Sequence, residues 1–333
     1  MPVITTPTPE TPTVPLSEAL KQTARVTVLG SGAWGTALAR IALTNGNLVQ
    51  IWSRRGPLDL AVAVADADIV LSAISMKGVA SLAEQLQAAQ LDPKTILVTA
   101  TKGLDPETTR TPSKIFRDTF PDNPVVVLSG PNLSKEIEAG LPAATVVASD
   151  DLDAAAQVQQ VYSSENFRVY TSNDPIGAEL GGTLKNVVAI AVGVCDGLKL
   201  GSNAKAALIT RAIPEIIRVG AHFGANIETF YGLSGLGDLL ATCDSPLSRN
   251  YRVGLGLAQG QSLSEILEDL GSTAEGVNTA HVLMDVANRE EIPVPIARQV
   301  HRLLMSKITP KEAVETLMER DLKPEYCDLS DHR

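Results

Sequence analysis

The stretch from Arg25 to Ala39 restricts the fold of this chain more than any other part of the sequence. A short apolar run ends there in the pattern Gly30-x-Gly32-x-x-Gly35, and a series of good helix formers follows directly. In a strand–turn–helix of this kind the first glycine makes the tight turn, the second lets the backbone approach a pyrophosphate, and the third lets the helix pack closely on the strand. The helix N-terminus adds unpaired N–H groups that attract phosphate. The pattern therefore predicts a dinucleotide-binding turn in preference to a purely structural one.

Strand and helix patterns alternate from this turn to about residue 172, and the character of the chain then changes. The predicted strands lie at 26–29, 48–52, 69–74, 95–99, 125–128, 144–148 and 167–171, with helices predicted at 36–43, 79–90, 133–139 and 151–161. Beyond Asn173 strand signals disappear, and helix-period segments are predicted at 176–200, 204–223, 263–270, 277–290, 296–305 and 310–320. The alternation predicts an α/β fold: an N-terminal Rossmann-type, doubly wound sheet followed by an all-α C-terminal domain.

The predicted domain boundaries follow from this change and from the chain length. A chain of 333 residues is longer than the ~250–300 residues that one hydrophobic core supports, so we expect two domains. We assign residues 24–172 to the dinucleotide-binding domain and residues 173–333 to a helical substrate and catalytic domain. Residues 1–23 are rich in Thr and Pro and lack the apolar core of a signal peptide, so we expect a disordered tail.

Composition disfavours several classes of function. A formal net charge of −10 argues against nucleic acid or an anionic membrane as a partner, although a local cluster of Lys and Arg could still bind an anionic small molecule. The three cysteines form no C-x-x-C pair and the four histidines have no ligand spacing, so the sequence predicts neither a disulfide nor a metal site. No apolar run approaches the ~20 residues of a membrane span. We therefore expect a cytoplasmic protein with no membrane span, no metal and no nucleic-acid partner.

The tip of the second predicted strand carries Ser53, Arg54 and Arg55, with no carboxylate before Asp59. NAD enzymes of this fold normally place Asp or Glu at that tip to bind the ribose 2′-hydroxyl, whereas arginine pairs with the 2′-phosphate of NADP. These residues therefore favour NADP(H) as the cofactor, with NAD(H) as the second choice. Two solvated surface arginines are the alternative interpretation.

Lys185 is the strongest candidate for acid–base chemistry. Its neighbours from Gly177 to Ile190 are almost all small or apolar, whereas most helical lysines are solvated surface charges. Desolvation disfavours the ammonium form and lowers the pKa, so that a lysine can act as a general acid or base near neutral pH. An ordinary surface charge is the alternative.

Two polar segments of the helical part could bind substrate. Asp238 follows a glycine-rich loop, where it either orients a substrate hydroxyl or Lys185, or merely caps the next helix. Ser248, Arg249 and Asn250 stand side by side and combine a forked cation with neutral donors, which suits a phosphate. A polar helix start is the alternative interpretation of this second segment.

Seven short motifs occur in order between about residues 25 and 320: G-S-G-A-W-G-T-A-L-A, A-T-K-G-L, S-G-P-N, L-K-N-V-x-A-I, G-L-G-D-L, S-R-N and A-E-G. Together they strongly resemble the NAD(P)-dependent glycerol-3-phosphate dehydrogenase family. The L-K-N, G-L-G-D-L and S-R-N motifs are far more selective than the glycine pattern. The resemblance implies reversible reduction of dihydroxyacetone phosphate to sn-glycerol 3-phosphate, the precursor of glycerophospholipids, and it is compatible with a homodimer.

The resemblance also implies roles for individual residues. Lys185 is the implied proton acceptor in oxidation, and it protonates the carbonyl oxygen in reduction. The implied substrate-binding residues are Lys102, Gly130, Asn132, Lys185, Asp238, Ser248, Arg249 and Asn250. The implied cofactor-binding residues are Gly30, Gly32, Ala33, Trp34, Gly35, Arg54, Arg55, Lys102, Ser134, Arg249, Thr273 and Glu275.

Two features depart from the family pattern. The segment at 55–68, between the second and third strands, is very short, and the turn Ser75-Met76-Lys77 replaces a Val-Pro type of turn, so no role is assigned to Lys77. Two other functions stay open: a related dehydrogenase of a 3-hydroxy acid or a 2-ketoacid, and a catalytically silent NADP-binding regulator. The Ser-Arg-Asn motif favours phosphate over carboxylate, and the intact set of polar candidates argues against the regulator.

Overall fold

The computed structural model describes residues 23–271, 273–322 and 324–325, and one sheet organises their N-terminal part. Its strands are β1 (Arg25–Leu29), β2 (Leu48–Trp52), β3 (Ile69–Ser72), β4 (Ile96–Thr99), β5 (Val125–Ser129), β6 (Ala143–Ala148) and β7 (Phe167–Ser172). All of them lie close to their predicted positions. The predicted tail at 1–23 lies, except for its last residue, outside the described residues.

The sheet is doubly wound, in the order β2-β1-β3-β4-β5-β6-β7. Strand β2 pairs with one side of β1 and β3 pairs with the other, so the direction of winding reverses between β1 and β3. Ligands of such sheets bind in the crevice outside the carboxyl ends of the strands at this point. The pairs are parallel except that β6 runs antiparallel to β5, which brings Thr145 beside Gly130 at the carboxyl end of β5.

Helices cover both faces of this sheet. They are α1 (Ala33–Thr44), α2 (Leu60–Val64), α3 (Val79–Ala88), α4 (Pro112–Thr119), α5 (Ser134–Glu138) and α6 (Leu152–Tyr162). Neighbouring strand residues point to opposite faces of the sheet. Leu71 packs in the apolar cluster that includes α1 and α6, whereas Val70 packs in the cluster that includes α2, α3 and α4. The central strands β3, β4 and β5 are buried throughout, as expected for strands covered on both sides.

Helices α2 and α4 were not predicted from the sequence. Helix α2 has only five residues, and it begins where Asp59 accepts hydrogen bonds from two backbone N–H groups. Helix α4 begins at Pro112 after the capping residue Thr111, and its large buried side chains are Ile115 and Phe116. Segments this short contain too few apolar residues to reveal a helical period.

The second part of the chain is helical. Its α-helices in the described residues are α7 (Pro175–Gly197), α8 (Gly201–His222), α9 (Asp238–Asp244), α10 (Arg249–Ala258), α11 (Leu263–Leu270), α12 (Glu275–Arg289), α13 (Pro295–Leu304) and α14 (Pro310–Met318). The predicted helices at 176–200 and 204–223 correspond to α7 and α8, which a short turn separates at 198–200. Helices α9 and α10 were not predicted as such, because a glycine-rich stretch and a polar run stand at their starts.

Helix α7 is the centre of this helical part. It packs against α8, α9, α10, α12 and α13, and it is nearly all buried. A Cβ on Gly193 would overlap the carbonyl oxygen of Tyr251, and one on Gly254 would overlap that of Ile190, so α7 and α10 cross in very close contact. By length and composition alone α7 could cross a membrane, and it is the one described helix that meets this test. Its burial inside the protein is that of a core helix.

Candidate active site

The glycine turn predicted to bind a dinucleotide lies between β1 and α1. Gly30 has a φ of 122°, and a Cβ there would lie 2.7 Å from the carbonyl oxygen of Ala73, just after β3. A Cβ on Gly35 would overlap the carbonyl oxygen of Gly30, whereas one on Gly32 would meet nothing within 4 Å. Helix α1 begins at the exposed Ala33 without a side-chain cap, which leaves N–H groups of its first turn open. This open cradle fits a pyrophosphate.

The tip of β2 forms a tight turn in which the Gly56 N–H donates to the Ser53 carbonyl oxygen at 2.8 Å. Arg54 and Arg55 lie on this turn and are exposed, and neither makes an ion pair or a side-chain hydrogen bond with another described residue. Asp59, the first carboxylate after them, caps α2 by accepting from the N–H groups of two residues. The turn therefore presents two cations, and its nearest following acid is already engaged.

A cluster of two lysines, an aspartate and a threonine joins the sheet to the helices. Lys185, on α7, is only 5% exposed, and its Nζ donates to Asp238 Oδ1 and to Thr242 Oγ1. Lys102, in the loop after β4, donates from its Nζ to Asp238 Oδ2 at 2.6 Å. Asp238 is 2% exposed, so one buried carboxylate bridges two ammonium groups from different parts of the fold. We call these four residues the lysine–aspartate cluster.

The surroundings of Lys185 in this cluster bring its pKa close to neutral pH. Burial lowers the pKa of Lys185 to about 8, and the positive charge of Lys102 acts in the same direction, while the Asp238 carboxylate opposes both. Both protonation states are therefore populated within a unit or so of neutral pH. A lysine with this pKa can donate or accept a proton at physiological pH.

Asp238 does not cap a helix, so that interpretation of the sequence is wrong. The capping position of α9 belongs to Gly237, and Asp238 is the first helical residue, with its side chain turned to the two lysines. Thr242 follows one turn later on the same face of α9 and reaches the same ammonium group. Sequence analysis missed Thr242, although its spacing of four residues from Asp238 was a usable signal.

The Ser-Arg-Asn segment begins α10. Ser248 caps this helix, since its Oγ accepts from the Tyr251 N–H at 3.2 Å, and the interpretation as a helix start therefore holds for this residue. Arg249 is exposed and makes no ion pair with another described residue. Asn250 is buried, and its Oδ1 accepts from the Gly276 N–H at 2.9 Å, which ties this segment to the start of α12.

Glu275 lies at the start of α12, between the two parts of the fold. Burial raises its pKa, while Arg249 and Lys77 lower it, so both cations lie near its carboxylate. A Cβ on Gly103 would lie 3.0 Å from Met76 and 3.5 Å from Glu275 Oε2, which places the turn after β3 directly beside this carboxylate. The structure thus brings Lys77 to the crevice, although sequence analysis assigned it no role.

The carboxyl end of β5 forms another wall of the crevice. Gly130 has a φ of 152°, and its carbonyl oxygen accepts a long 3.4 Å hydrogen bond from Lys102. Asn132 donates from Nδ2 to Thr145 Oγ1 at 3.0 Å, whereas its buried Oδ1 has no partner in the described part of the chain. An unpaired buried acceptor at this end of β5 is suited to a hydroxyl donor from a ligand.

Three other predicted cofactor residues lie at or just before the starts of helices. Trp34 is half-buried in the first turn of α1, and Ser134 is half-buried at the start of α5. Thr273 is exposed just before α12. None of these three makes a side-chain hydrogen bond to another residue in the ranges that the structure describes.

The fold and the site together define a two-domain, dinucleotide-dependent oxidoreductase. Residues 25–58 and 55–155 match the family model for the NAD-dependent glycerol-3-phosphate dehydrogenase N-terminus, and residues 174–315 match the model for its C-terminus. The chain therefore belongs to the NAD-dependent glycerol-3-phosphate dehydrogenase family. The family uses NAD or NADP. The N-terminal match is divided at the turn after β2, where this chain has its short segment.

Individual relatives agree with the family models. The chain is 66% identical over 307 residues to a glycerol-3-phosphate dehydrogenase [NAD(P)+] from Acaryochloris marina, and the match covers 92% of this chain and 99% of the relative. It is 65% identical over 305 residues to the enzyme of that name from Synechocystis, with 92% and 96% covered. A crystal structure of glycerol-3-phosphate dehydrogenase from Coxiella burnetii superimposes with a TM-score of 0.85 at 34% identity, covering 90% of this chain and 99% of that one.

Proposed function

We propose that this protein catalyses the reversible, NAD(P)-dependent reduction of dihydroxyacetone phosphate to sn-glycerol 3-phosphate. The observation that carries the proposal is the lysine–aspartate cluster, in which a buried lysine with a pKa of about 8 shares one carboxylate with Lys102, from the loop after β4. The family membership supports the same reaction. The bound dinucleotide would supply the hydride in reduction and accept it in oxidation.

Lys185 is proposed as the general acid and base of this reaction. Its ammonium form would protonate the carbonyl oxygen during reduction, and its amine form would accept the proton of the C2 hydroxyl during oxidation. Asp238 and Thr242 would hold the Lys185 Nζ in position from two directions, since both already accept its hydrogen bonds. Lys102, which is 22% exposed, is the member of the cluster that a ligand in the crevice reaches most readily.

The phosphate of the substrate is assigned to the start of α10. Arg249 is exposed there with no ion pair among the described residues, and the first turn of α10 adds the partial positive charge of a helix N-terminus. Ser248 and Asn250 would shape this end of the pocket, while Gly130 and the unpaired Oδ1 of Asn132 would line its other wall. A forked guanidinium gives a phosphate a strong, directional contact.

The cofactor is proposed to be NADP(H), with NAD(H) as the alternative. The support is the exposed pair Arg54 and Arg55 at the tip of β2, together with the absence of an available acid at that turn. The remaining proposed cofactor contacts are Gly30, Gly32, Ala33, Trp34, Gly35, Lys102, Ser134, Arg249, Thr273 and Glu275.

Further features of the protein belong to the same proposal. We place the domain boundary between residues 172 and 173, because β7 ends at Ser172 and α7 is capped by Asp174. A cytoplasmic location, a role in glycerophospholipid synthesis and a homodimer follow from the family resemblance.

The direct test is the loss of NADPH absorbance at 340 nm with dihydroxyacetone phosphate, run in parallel with NADH. Turnover that is strong with NADPH and weak with NADH would support both the reaction and the role of the arginine pair. Equal turnover with both cofactors would keep the reaction and reject the cofactor preference. A 2-ketoacid in place of dihydroxyacetone phosphate is the matched control, and activity with the ketoacid alone would reject the proposed substrate.

A further inference from the structure

Ser129, the last residue of β5, carries a hydroxyl group that none of the assignments above uses. The side chain is buried, with the residue 2% exposed, and its Oγ has no hydrogen-bond partner in the described part of the chain. Its backbone carbonyl oxygen is engaged, since it accepts from Thr145 Oγ1 at 2.8 Å. Buried hydroxyl groups without partners are uncommon, and each one calls for an explanation.

The Ser129 hydroxyl lies beside the lysine–aspartate cluster. A Cβ on Gly182 would be 2.5 Å from Ser129 Oγ, 3.4 Å from Lys102 Cε and 3.7 Å from Asp238 Oδ2. These three groups therefore surround one point on α7, one turn before Lys185. Only glycine at position 182 leaves room for the hydroxyl to lie there.

The members of this group differ in their access to a ligand. Asp238 and Ser129 are 2% exposed, whereas the Lys102 side chain is 22% exposed and holds its second partner, the Gly130 carbonyl oxygen, only at 3.4 Å. An anionic or carbonyl substrate in the crevice would therefore draw the Lys102 ammonium toward itself. Asp238 Oδ2 would then lose its donor at 2.6 Å while remaining buried, and an unpaired buried carboxylate oxygen is strongly unfavourable.

We propose that Ser129 is a positioning residue that donates its hydroxyl hydrogen to Asp238 Oδ2 when Lys102 turns to the substrate. The inference rests on the proposed reaction. The proposed step requires only a rotation about the Ser129 Cα–Cβ bond, and no covalent bond is made or broken. Asp238 thereby keeps both of its oxygens paired and continues to orient the Lys185 Nζ through Oδ1 during proton transfer.

The test is Ser129→Ala, with Tyr162→Phe as the matched control. Tyr162 also carries a fully buried hydroxyl without a partner in the described residues, but it lies on α6, in the apolar core between the sheet and helices α1 and α6. Each variant is assayed for kcat and KM with dihydroxyacetone phosphate and NADPH, for the pH profile of glycerol 3-phosphate oxidation, and for Tm.

We expect Ser129→Ala to lower kcat by about 10- to 100-fold with little change in KM, because one hydrogen bond to a charged group is lost only after substrate has bound. The acid limb of its oxidation profile should move to higher pH, since an Asp238 carboxylate with one donor fewer stabilises the Lys185 ammonium more strongly. Its Tm should not fall, because the hydroxyl makes no hydrogen bond before substrate binds. Tyr162→Phe should keep the kcat and the pH profile of the unsubstituted protein.

Several results would overturn the inference. An unchanged kcat and pH profile in Ser129→Ala would show that the hydroxyl takes no part in the reaction. A lowered Tm with a normal pH profile would give Ser129 a structural role, and a raised KM with normal kcat would make it a direct substrate contact. Absence of turnover in the unsubstituted protein would reject the proposed reaction itself, and with it the proposed hydrogen bond from Ser129 to Asp238.

Discussion

Replacement of Lys185 by methionine tests the centre of the proposed mechanism. Methionine keeps an unbranched side chain of similar length in a site that is only 5% exposed, so the packing of α7 is preserved while the ionisable group is removed. General acid–base catalysis by a positioned side chain contributes about 10²- to 10⁴-fold, and Lys185→Met should lower kcat by that factor. The glycine cradle is formed by other residues, so NADPH affinity should be nearly unchanged.

The pH dependence gives a second, sharper expectation for the same residue. With a pKa of about 8, Lys185 is mainly ammonium below pH 8 and mainly amine above it. Reduction of dihydroxyacetone phosphate should therefore decline as the pH rises through about 8, and oxidation of glycerol 3-phosphate should increase over the same interval. The residual activity of Lys185→Met should show neither transition.

Because folding changes the pKa of Lys185, the free energy of unfolding should also depend on pH. The folded-state pKa of Lys185 lies below the ordinary lysine value of 10.5, so the unfolded chain binds more protons between pH 8 and 10.5, and stability rises with pH over this interval. The difference between the folded-state and the ordinary pKa corresponds to roughly 3 kcal/mol, present as a penalty below pH 8 and relieved by pH 10.5. The free energy of unfolding of the unsubstituted protein, measured relative to Lys185→Met, should rise by an amount of this order over the interval.

The assays for this prediction are absorbance at 340 nm across pH 6–10, titration of NADPH fluorescence, and urea unfolding at several pH values. The matched control is Lys94→Met, which removes an exposed lysine just before β4, at the opposite end of that strand from the crevice. It should retain the kcat and both pH profiles of the unsubstituted protein. A Lys185→Met variant with a rate within a few-fold of normal, or with both pH transitions intact, would refute the reasoning.

The other predictions concern the two anion sites and one buried carboxyl group. Arg54→Ala combined with Arg55→Ala should raise KM for NADPH by about 10-fold or more and leave KM for NADH unchanged, because only the 2′-phosphate is lost as a partner; equal effects on both cofactors would contradict this. Arg249→Ala should raise KM for dihydroxyacetone phosphate by about 10- to 100-fold, as expected for one lost charge-assisted contact; steady-state kinetics measure it, and an unchanged KM would remove the residue from the phosphate site. Glu215 accepts the first N–H groups of α13 at 2.9 and 2.8 Å, and burial raises its pKa to about 7. Because its folded-state pKa is raised, the stability it contributes is present at low pH and is lost as the pH rises through about 7. Urea unfolding should therefore show Glu215→Gln to be less destabilising at pH 8 than at pH 5, and the reverse order would contradict the assignment.

Much of this protein is determined by local sequence. The glycine turn is one example, because Gly30 has a positive φ and a Cβ on Gly35 would overlap the carbonyl oxygen of Gly30, although Ala73 and Ile74 after β3 also leave no room for a Cβ on Gly30. The apolar runs of β3, β4 and β5 predict buried strands for a similar reason, since a strand covered on both faces is apolar at nearly every position. Lys185 stood out because its neighbours in the chain are almost all small or apolar, and a helix made of such residues is buried.

Tertiary structure alone decided how the site is assembled. The partner of Lys185 is Asp238, 53 residues away, and Asp238 pairs in turn with Lys102, 136 residues away. Locally Asp238 looks like a helix cap, and only the approach of two ammonium groups from distant segments gives its carboxylate stronger partners than a backbone N–H. The antiparallel direction of β6 and the unpaired hydroxyl of Ser129 have the same origin. Both depend on which distant segments of the chain meet in the folded protein, and the periodicity of the sequence carries no information about such long-range contacts.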